Sequence, residues 1–347
     1  MEGRADDTQM IQLPTVTPPA QPHAEIAAPG STVPFERRPP PAPTQLPGPQ
    51  APAPTPAPPA EQRRAETKRP SRNFSLFRGK AKALARQERL DRERIVPPIR
   101  SPRRIAVVGL KGGVGKTTLS VLMAGIYAQV RAEPVLLLDA DPTFGSLLLR
   151  SGVAPTHSAR DLAGRGDPGD LAILTPYLGR SANGTWVLPS GLDPGESARF
   201  DEATFVATMD VVHRHFPITV TDCGAGLSGG LMRQLLGGTH TLVFATSPSV
   251  DGITSTYAGL RWIAERGFGA LVADSFVAVT AVPRRRSPVD LAAAALRFEG
   301  LCRGLVTVPD DPHLRAGARI DQNELTDQTR GAMVHLAAEV LEAAKRA

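Results

Sequence analysis

Apolar and polar positions along the chain follow two different periods, and the places where the period changes divide the chain. From about residue 104 onward, short apolar runs are followed repeatedly by stretches whose apolar residues recur every three or four positions. The runs at 105–109, 134–139, 218–222, 241–246, 275–280 and 305–308 predict strands buried on both faces, and a shorter one at 186–188 predicts another. Helical spacing covers 117–130, 203–213, 230–236, 255–264, 288–298 and 331–345. Strands alternating with amphipathic helices predict an α/β fold, a doubly wound and mostly parallel sheet covered on both sides. The stretch 151–185, rich in Gly and Pro, carries no readable period, and no internal repeat is visible.

Ahead of residue 71 neither period is present. About half of the 34 prolines fall there, in runs such as Pro39-Pro40-Pro41 and the Ala/Pro alternation of 52–59. Such a stretch buries too little apolar surface to offset its ordering entropy, so 1–70 is expected to be a disordered Pro-rich arm, partly polyproline II. The segment 71–104 differs. Phe74, Phe77, Ala81 and Leu84 recur at helical spacing among Arg78, Lys80, Lys82, Arg86, Arg89, Arg92 and Arg94, and Pro97-Pro98 would stop a helix there. Two readings stand open for it: a basic amphipathic helix that meets an anionic partner, or a solvated linker or helix that packs on the body. The chain is thus parsed as 1–70 arm, 71–104 basic linker and 105–347 domain.

Charge sharpens that division. The formal net charge is +6, yet 63–104 holds fifteen Lys and Arg against four Asp and Glu, while 105–347 holds 22 against 24. The basicity belongs to a short segment, which suits contact with nucleic acid or an anionic membrane surface. Two cysteines, Cys223 and Cys302, supply neither a disulfide framework nor a CxxC pair, and the seven histidines show no metal-ligand spacing. No apolar run is long enough to span a bilayer, and the polar first residues lack the apolar core of a secretory signal. The expected location is cytoplasmic, with recruitment to the nucleoid or a membrane surface left open.

The chemistry concentrates in Gly109-Leu110-Lys111-Gly112-Gly113-Val114-Gly115-Lys116-Thr117-Thr118, between a predicted strand and a predicted helix. That context is the one a phosphate-binding loop requires. Glycines at 112, 113 and 115 let main-chain N–H groups around Val114 turn inward as an anion nest, and the helix start adds its positive end. Lys116 would reach the β- and γ-phosphates, with Thr117 offering its hydroxyl to Mg²⁺ and Thr118 following it. An Asp at the end of a buried run, Asp222, is where an acid reaches Mg²⁺ through water, and the glycines after it would let the Gly224 N–H meet a γ-phosphate.

The second lysine, Lys111, makes the loop a KGGxGKT or deviant Walker A sequence, and here the chain resembles the ParA/MinD family of P-loop ATPases over most of 104–347. The resemblance implies a SIMIBI-type P-loop fold with ATP and Mg²⁺ as cofactors. It implies that Lys111 crosses to the nucleotide of a partner subunit. It also implies that Asp141, within Asp139-Ala140-Asp141-Pro142, orients the attacking water while Asp139 stands in the outer shell of the metal. Pro309 falls where relatives wrap the base with main-chain groups; the Asn that relatives often place after the preceding strand is missing from Val279-Thr280-Ala281-Val282-Pro283. The Arg284–Arg286 run after it could meet ribose, a partner or DNA, or be a solvated loop.

The Pro-rich arm, Asp222-Cys223-Gly224-Ala225-Gly226, and Pro309-Asp310-Asp311-Pro312-His313-Leu314 with Gly317 and Ile320-Asp321 most resemble actinobacterial MinD-like proteins associated with type VII secretion. The implied function is a weak, dimer-activated ATPase. An ATP-dependent homodimer would recruit or position a protein partner or cargo. A DNA-partitioning ATPase of the ParA type and a nucleotide-holding regulator with negligible turnover are the rival readings.

Overall fold

The computed structural model describes residues 72–347 apart from 144, 227–228, 284–286 and 288, with side chains from residue 81 onward. The arm 1–70, the Arg284–Arg286 run and the side chains of Phe74 and Phe77 lie outside the described residues.

Eight strands form one sheet: β1 (Arg103–Gly109), β2 (Val135–Ala140), β3 (Gly179–Arg180), β4 (Trp186–Leu188), β5 (Ile218–Ala225), β6 (Thr241–Thr246), β7 (Phe276–Val282) and β8 (Gly304–Pro309). Their order is β3-β4-β2-β5-β1-β6-β7-β8, and only β3 runs antiparallel to its neighbour. The helices, in chain order, are α1 (Arg72–Ile95), α2 (Lys116–Val130), α3 (Leu147–Ser151), α4 (Ala159–Arg165), α5 (Leu171–Leu174), α6 (Pro194–Ser197), α7 (Glu202–Val212), α8 (Gly230–Gly237), α9 (Val250–Ile263), α10 (Gly269–Ala273), α11 (Leu291–Phe298), α12 (Pro312–Arg315) and α13 (Asp327–Arg346).

The sheet is buried on both sides, and the pleat of β1 shows how. Ile105 and Val107 join one core with Leu122 of α2 and Leu336 of α13. Ala106 and Val108 point the other way, into a second core with Met209 of α7, Leu235 of α8 and Leu260 of α9. The same alternation divides Leu137 from Leu136 and Leu138 on β2. Each fully buried aliphatic side chain of this kind contributes about 1.5–3 kcal/mol. Tyr127 lies wholly inside the first core and donates its hydroxyl to the Ala337 carbonyl at 2.8 Å, which ties α2 to α13.

Several element limits differ from the sequence reading, each for a local reason. Helix α9 begins five residues earlier than its apolar spacing suggests, because Ser249 caps it by accepting from the Gly252 N–H at 3.0 Å. Helix α11 starts only at Leu291, where Asp290 accepts from the N–H groups of Ala292 and Ala293. Helix α13 starts at Asp327 under a Thr326 cap. The two-residue β3, a short antiparallel edge, leaves no periodic trace in 151–185.

Helix α1 is docked on α13. Gly331 permits the approach: a Cβ there would stand 2.9 Å from Leu84. Asp91 is fully buried, accepts from Arg94 at 2.8 Å and faces His335 at 3.1 Å. Arg94 also reaches Glu339 at 2.7 Å and Glu342 at 2.5 Å, and these acids hold its guanidinium firmly protonated. Buried Arg131 donates to the carbonyls of Ile95 and Pro97, satisfying the C-terminal end of α1. Lys82, Arg86 and Arg89 stay exposed.

Candidate functional site

The sheet order sets β2, β5 and β1 side by side, so the loops after these three parallel strands converge at one edge. The loop after β1 carries residues 109–118. Gly113 and Gly115 have φ of +75° and +86°, backbone that side-chain-bearing residues rarely adopt. Gly109 is needed for a different reason, since a Cβ there would come within 2.9 Å of the Ala245 carbonyl oxygen on β6. No heavy atom lies within 4 Å of the Cβ positions of Gly112 and Gly113, so that side of the loop is open. Gly115 leads directly into α2 without a side-chain cap, leaving the first N–H groups of the helix to whatever enters the loop.

The two lysines of the loop face different surroundings. Lys116 is only 8% exposed, and its Nζ donates to the Lys111 carbonyl at 3.2 Å. Lys111 reaches outward, its side chain 44% exposed, and pairs with Asp251 in the first turn of α9. Thr280 at the end of β7 holds the loop in shape by donating its hydroxyl to the Val114 carbonyl at 2.8 Å.

The acids lie on the neighbouring strands. Asp139 and Asp222 are directly paired in the β2–β5 register, and both are buried. Burial pushes the Asp222 carboxyl up to about 6, against the opposing pull of hydrogen bonds from Thr117 and Ser120 and of the Lys116 charge. Burial, and then the charge of Asp222, hold the Asp139 carboxyl well above the usual carboxylate range. Ser120, one turn into α2, donates to Asp222 at 3.0 Å. Cys223 is buried, and its thiol is pushed up by burial and by the acids, which suits an inert filler.

Asp141 follows the strand in a turn. Its own N–H donates to Asp139 at 2.9 Å, and one carboxylate oxygen accepts from the Thr143 N–H at 2.9 Å. Ser190 donates to the Asp141 carbonyl at 3.0 Å. Gly224 presses on the same carboxylate: a Cβ at 224 would stand 2.9 Å from Asp141 Oδ1 and 3.3 Å from Pro142. The glycine therefore permits the end of β5 to lie against Asp141.

A cavity of about 260 Å³ runs from the phosphate loop to the ends of β7 and β8. Gly113, Gly115, Lys116, Thr117, Thr118 and Pro309 line it, so the loop and the base-side proline named from the sequence come together there. Lys111, Gly112, Val114, Asp139, Asp141, Asp222 and Gly224 do not line it; all belong to the same three converging loops and strand ends.

A nucleoside triphosphate with Mg²⁺ fits this donor set: an open glycine nest, uncapped helix N–H groups, a buried ammonium, and a hydroxyl beside buried acids whose charge a divalent ion would offset. No group of three acidic, His or Cys side chains is arranged to hold a metal unaided among the described residues.

Ser120, Thr280 and Asp251 were not legible as site residues. Ser120 leaves a trace, as a polar residue one turn past Lys116 in an otherwise apolar helix. Thr280 and Asp251 act on the loop from 166 and 140 residues away, and no local pattern marks them.

The profile of the CobQ/CobB/MinD/ParA nucleotide binding domain matches residues 105–315. The ESX-1 secretion-associated protein EspI of Mycobacterium tuberculosis is 29% identical over 253 residues, which is 72% of this chain and 38% of that protein. The chain therefore spans well under half the length of this curated relative. Among solved structures, the cell division ATPase MinD of Pyrococcus furiosus superposes with a TM-score of 0.56 at 23% identity, covering 69% of this chain and 98% of that one. The septum site-determining protein MinD of Pyrococcus horikoshii, complexed with Mg-ADP, gives 0.52 at 21%, covering 68% and 94%. These two likenesses are of fold.

Proposed function

The chain belongs to the CobQ/CobB/MinD/ParA nucleotide-binding domain family, and from that premise we propose that it is an ATP-driven switch: two copies close face to face around ATP, recruit a partner in that state, and separate on hydrolysis. The observation that carries the reading is the opposite placement of the two loop lysines. Lys116 is committed to the chain's own cavity, whereas Lys111 is turned out of it and held by Asp251 at the surface. A cation displayed beside a phosphate site and spare to it is suited to complete a neighbouring copy, as an arginine finger does.

Within one chain, Lys116 and the loop N–H groups would hold the phosphates. Thr117 would ligate Mg²⁺ directly, with Asp222 and Asp139 reaching it through water. Bound Mg²⁺ supplies charge neutralisation on the phosphate oxygens. Asp141, fixed by its turn and by Gly224, would orient a water. The end of β5 packs on that carboxylate at Gly224, so its position can depend on whether a γ-phosphate is present. The similarity to EspI, a secretion-associated protein, supports a component or cargo of a comparable secretion apparatus as the partner. No described helix is long and apolar enough to cross a membrane.

Light scattering with Mg²⁺ and a non-cleavable ATP mimic tests the reading. The parent chain is expected to dimerise only with nucleotide. Lys111→Ala should bind nucleotide yet stay monomeric, and Asp251→Asn, which frees Lys111, should dimerise at several-fold lower protein concentration. A parent chain that remains monomeric at saturating nucleotide overturns the proposal. Phosphate release that stays negligible at every protein concentration would instead favour a nucleotide-holding regulator.

A further inference from the structure

The Asp141 carboxylate is anchored through one of its two oxygens. Oδ1 accepts from the Thr143 N–H at 2.9 Å and from the Thr143 hydroxyl at 2.5 Å. A turn of this kind needs the N–H bond alone. The hydroxyl adds a second bond to the same oxygen, at the length expected when a hydroxyl donates to a charged carboxylate. Oδ1 is also the oxygen beside Gly224, where a Cβ would stand 2.9 Å away. Oδ2 accepts no hydrogen bond among the described residues.

The main chain of Asp141 is held separately, from another part of the sequence. Ser190, two residues past the end of β4, is fully buried and donates to the Asp141 carbonyl at 3.0 Å. Its hydroxyl also faces the Asp139 carboxyl, where it favours the charged form, and stands 3.3 Å from the Ser197 hydroxyl of α6. Gly191 lets α6 come this close, since a Cβ there would clash with the Ser197 main-chain nitrogen. The α6 turn is fixed in its own right, because Asp193 caps it by accepting from the Glu196 N–H at 2.8 Å. Pro142 disfavours a helical backbone at Asp141. The turn is thus clamped twice, at the carboxylate by Thr143 and at the carbonyl by Ser190.

We propose, resting on the hydrolytic reading above, that Thr143 and Ser190 are positioning residues for the attacking water: Thr143 engages Oδ1 and Ser190 fixes the main chain, so that Asp141 presents Oδ2 alone to that water. A free carboxylate turns about its last torsion and exchanges its two oxygens. The Thr143 hydroxyl makes them unequal, and Oδ2 keeps its full capacity to accept. Neither residue touches the reacting atoms. Losing either clamp costs orientation, which falls on turnover and spares the binding of nucleotide.

The test measures phosphate release at saturating Mg-ATP, and affinity for a non-cleavable ATP mimic, in the parent chain, Thr143→Val, Thr143→Ser and Ser190→Ala. Thr143→Val keeps the shape and the N–H but loses the hydroxyl, and phosphate release should fall by about tenfold, the scale of one lost hydrogen bond to a charged group. Thr143→Ser restores the hydroxyl and should return to within about twofold of the parent. Ser190→Ala should also lower phosphate release by about tenfold. Affinity for the mimic should stay at the parental value in all three. Thr143 is exposed, so its pair of variants carries the test even where Ser190→Ala, at a buried position, does not fold. Phosphate release at the parental rate in Thr143→Val overturns the proposal. So does an equal loss in Thr143→Val and Thr143→Ser, or a loss of affinity that matches the loss of turnover, either of which would make the residue a prop of the fold. A parent chain that binds the mimic but releases no phosphate from ATP would overturn the hydrolytic reading first, before any variant is compared.

Discussion

The two ends of the cavity proposed to hold the nucleotide are built by opposite means. The phosphate end is a continuous stretch, 109–118, whose shape follows from glycines at positive φ and from the start of α2. The opposite end, proposed for the base, is a junction: Thr280 and Ala281 come from β7, Pro309 from the end of β8, Asp311 from the cap of α12, Leu314 from α12 and Arg150 from α3. A phosphate is nearly the same in every nucleotide, so a compact local motif can serve it. A base is an edge and a face, and groups that meet it must arrive from several directions. Local sequence therefore encodes the first end strongly and the second hardly at all.

The largest effect should come from the local end. Lys116→Ala removes the one buried ammonium of the loop and is expected to lower ATP affinity by at least about a hundredfold, read by titration calorimetry, because a charge-assisted contact to phosphate is lost inside a partly desolvated site. Normal affinity in that variant would erase the distinction between the two ends. A smaller effect is expected where the ends of β2 and β5 meet. Gly224→Ala places a methyl about 2.9 Å from the Asp141 carboxylate. Nucleotide binding should survive while phosphate release drops by about tenfold, since displacing a positioning group by a fraction of an ångström costs turnover before affinity. Equal losses in both would mean that Gly224 serves the fold and not the water.

The smallest effect lies away from both ends and acts as a control. His240 accepts from the Arg104 N–H at 3.0 Å. Burial, and then the charges of Arg104 and Arg103, hold its imidazole down to about 4 from an ordinary 6.5. The unfolded chain therefore takes up this proton first as pH falls. Its contribution to stability is complete above pH 6.5 and is lost progressively toward pH 4. Urea midpoints should decline across that window in the parent and less so in His240→Asn. A parallel decline in both would assign the acid sensitivity to other groups.

The same contrast explains what could be read in advance. The strands at 186–188 and 241–246 emerge with their limits intact, because an apolar run between breakers is a local signal. The placement of Asp139 beside Asp222 follows once β2 and β5 are known to be neighbours, but that neighbourhood skips over β3 and β4 in the chain and no local pattern states it. Arg131 carries no local mark of burial, yet it is 6% exposed and closes the end of α1. The basic segment was legible as cationic, and which of its cations pack on the body and which face outward was not. Arg92 and Arg94 serve ion pairs on and beneath α1, while Lys82 and Arg86 remain outside. Only the acids of α13 and Glu88 decide which is which.

The clasp between α1 and α13 has a consequence for how the protein is made. A ribosome finishes α1 early, but the helix that covers Leu84, Asp91 and Ile95 begins only roughly 230 residues later. Until then an apolar and acidic face of α1 waits without its cover. The sheet itself waits for the same helix, since Met333, Leu336 and Val340 roof the core beneath β1. Translation that halts before Asp327 would thus leave two uncovered surfaces at once, and a stalled chain of this kind should be a ready substrate for chaperones and proteases.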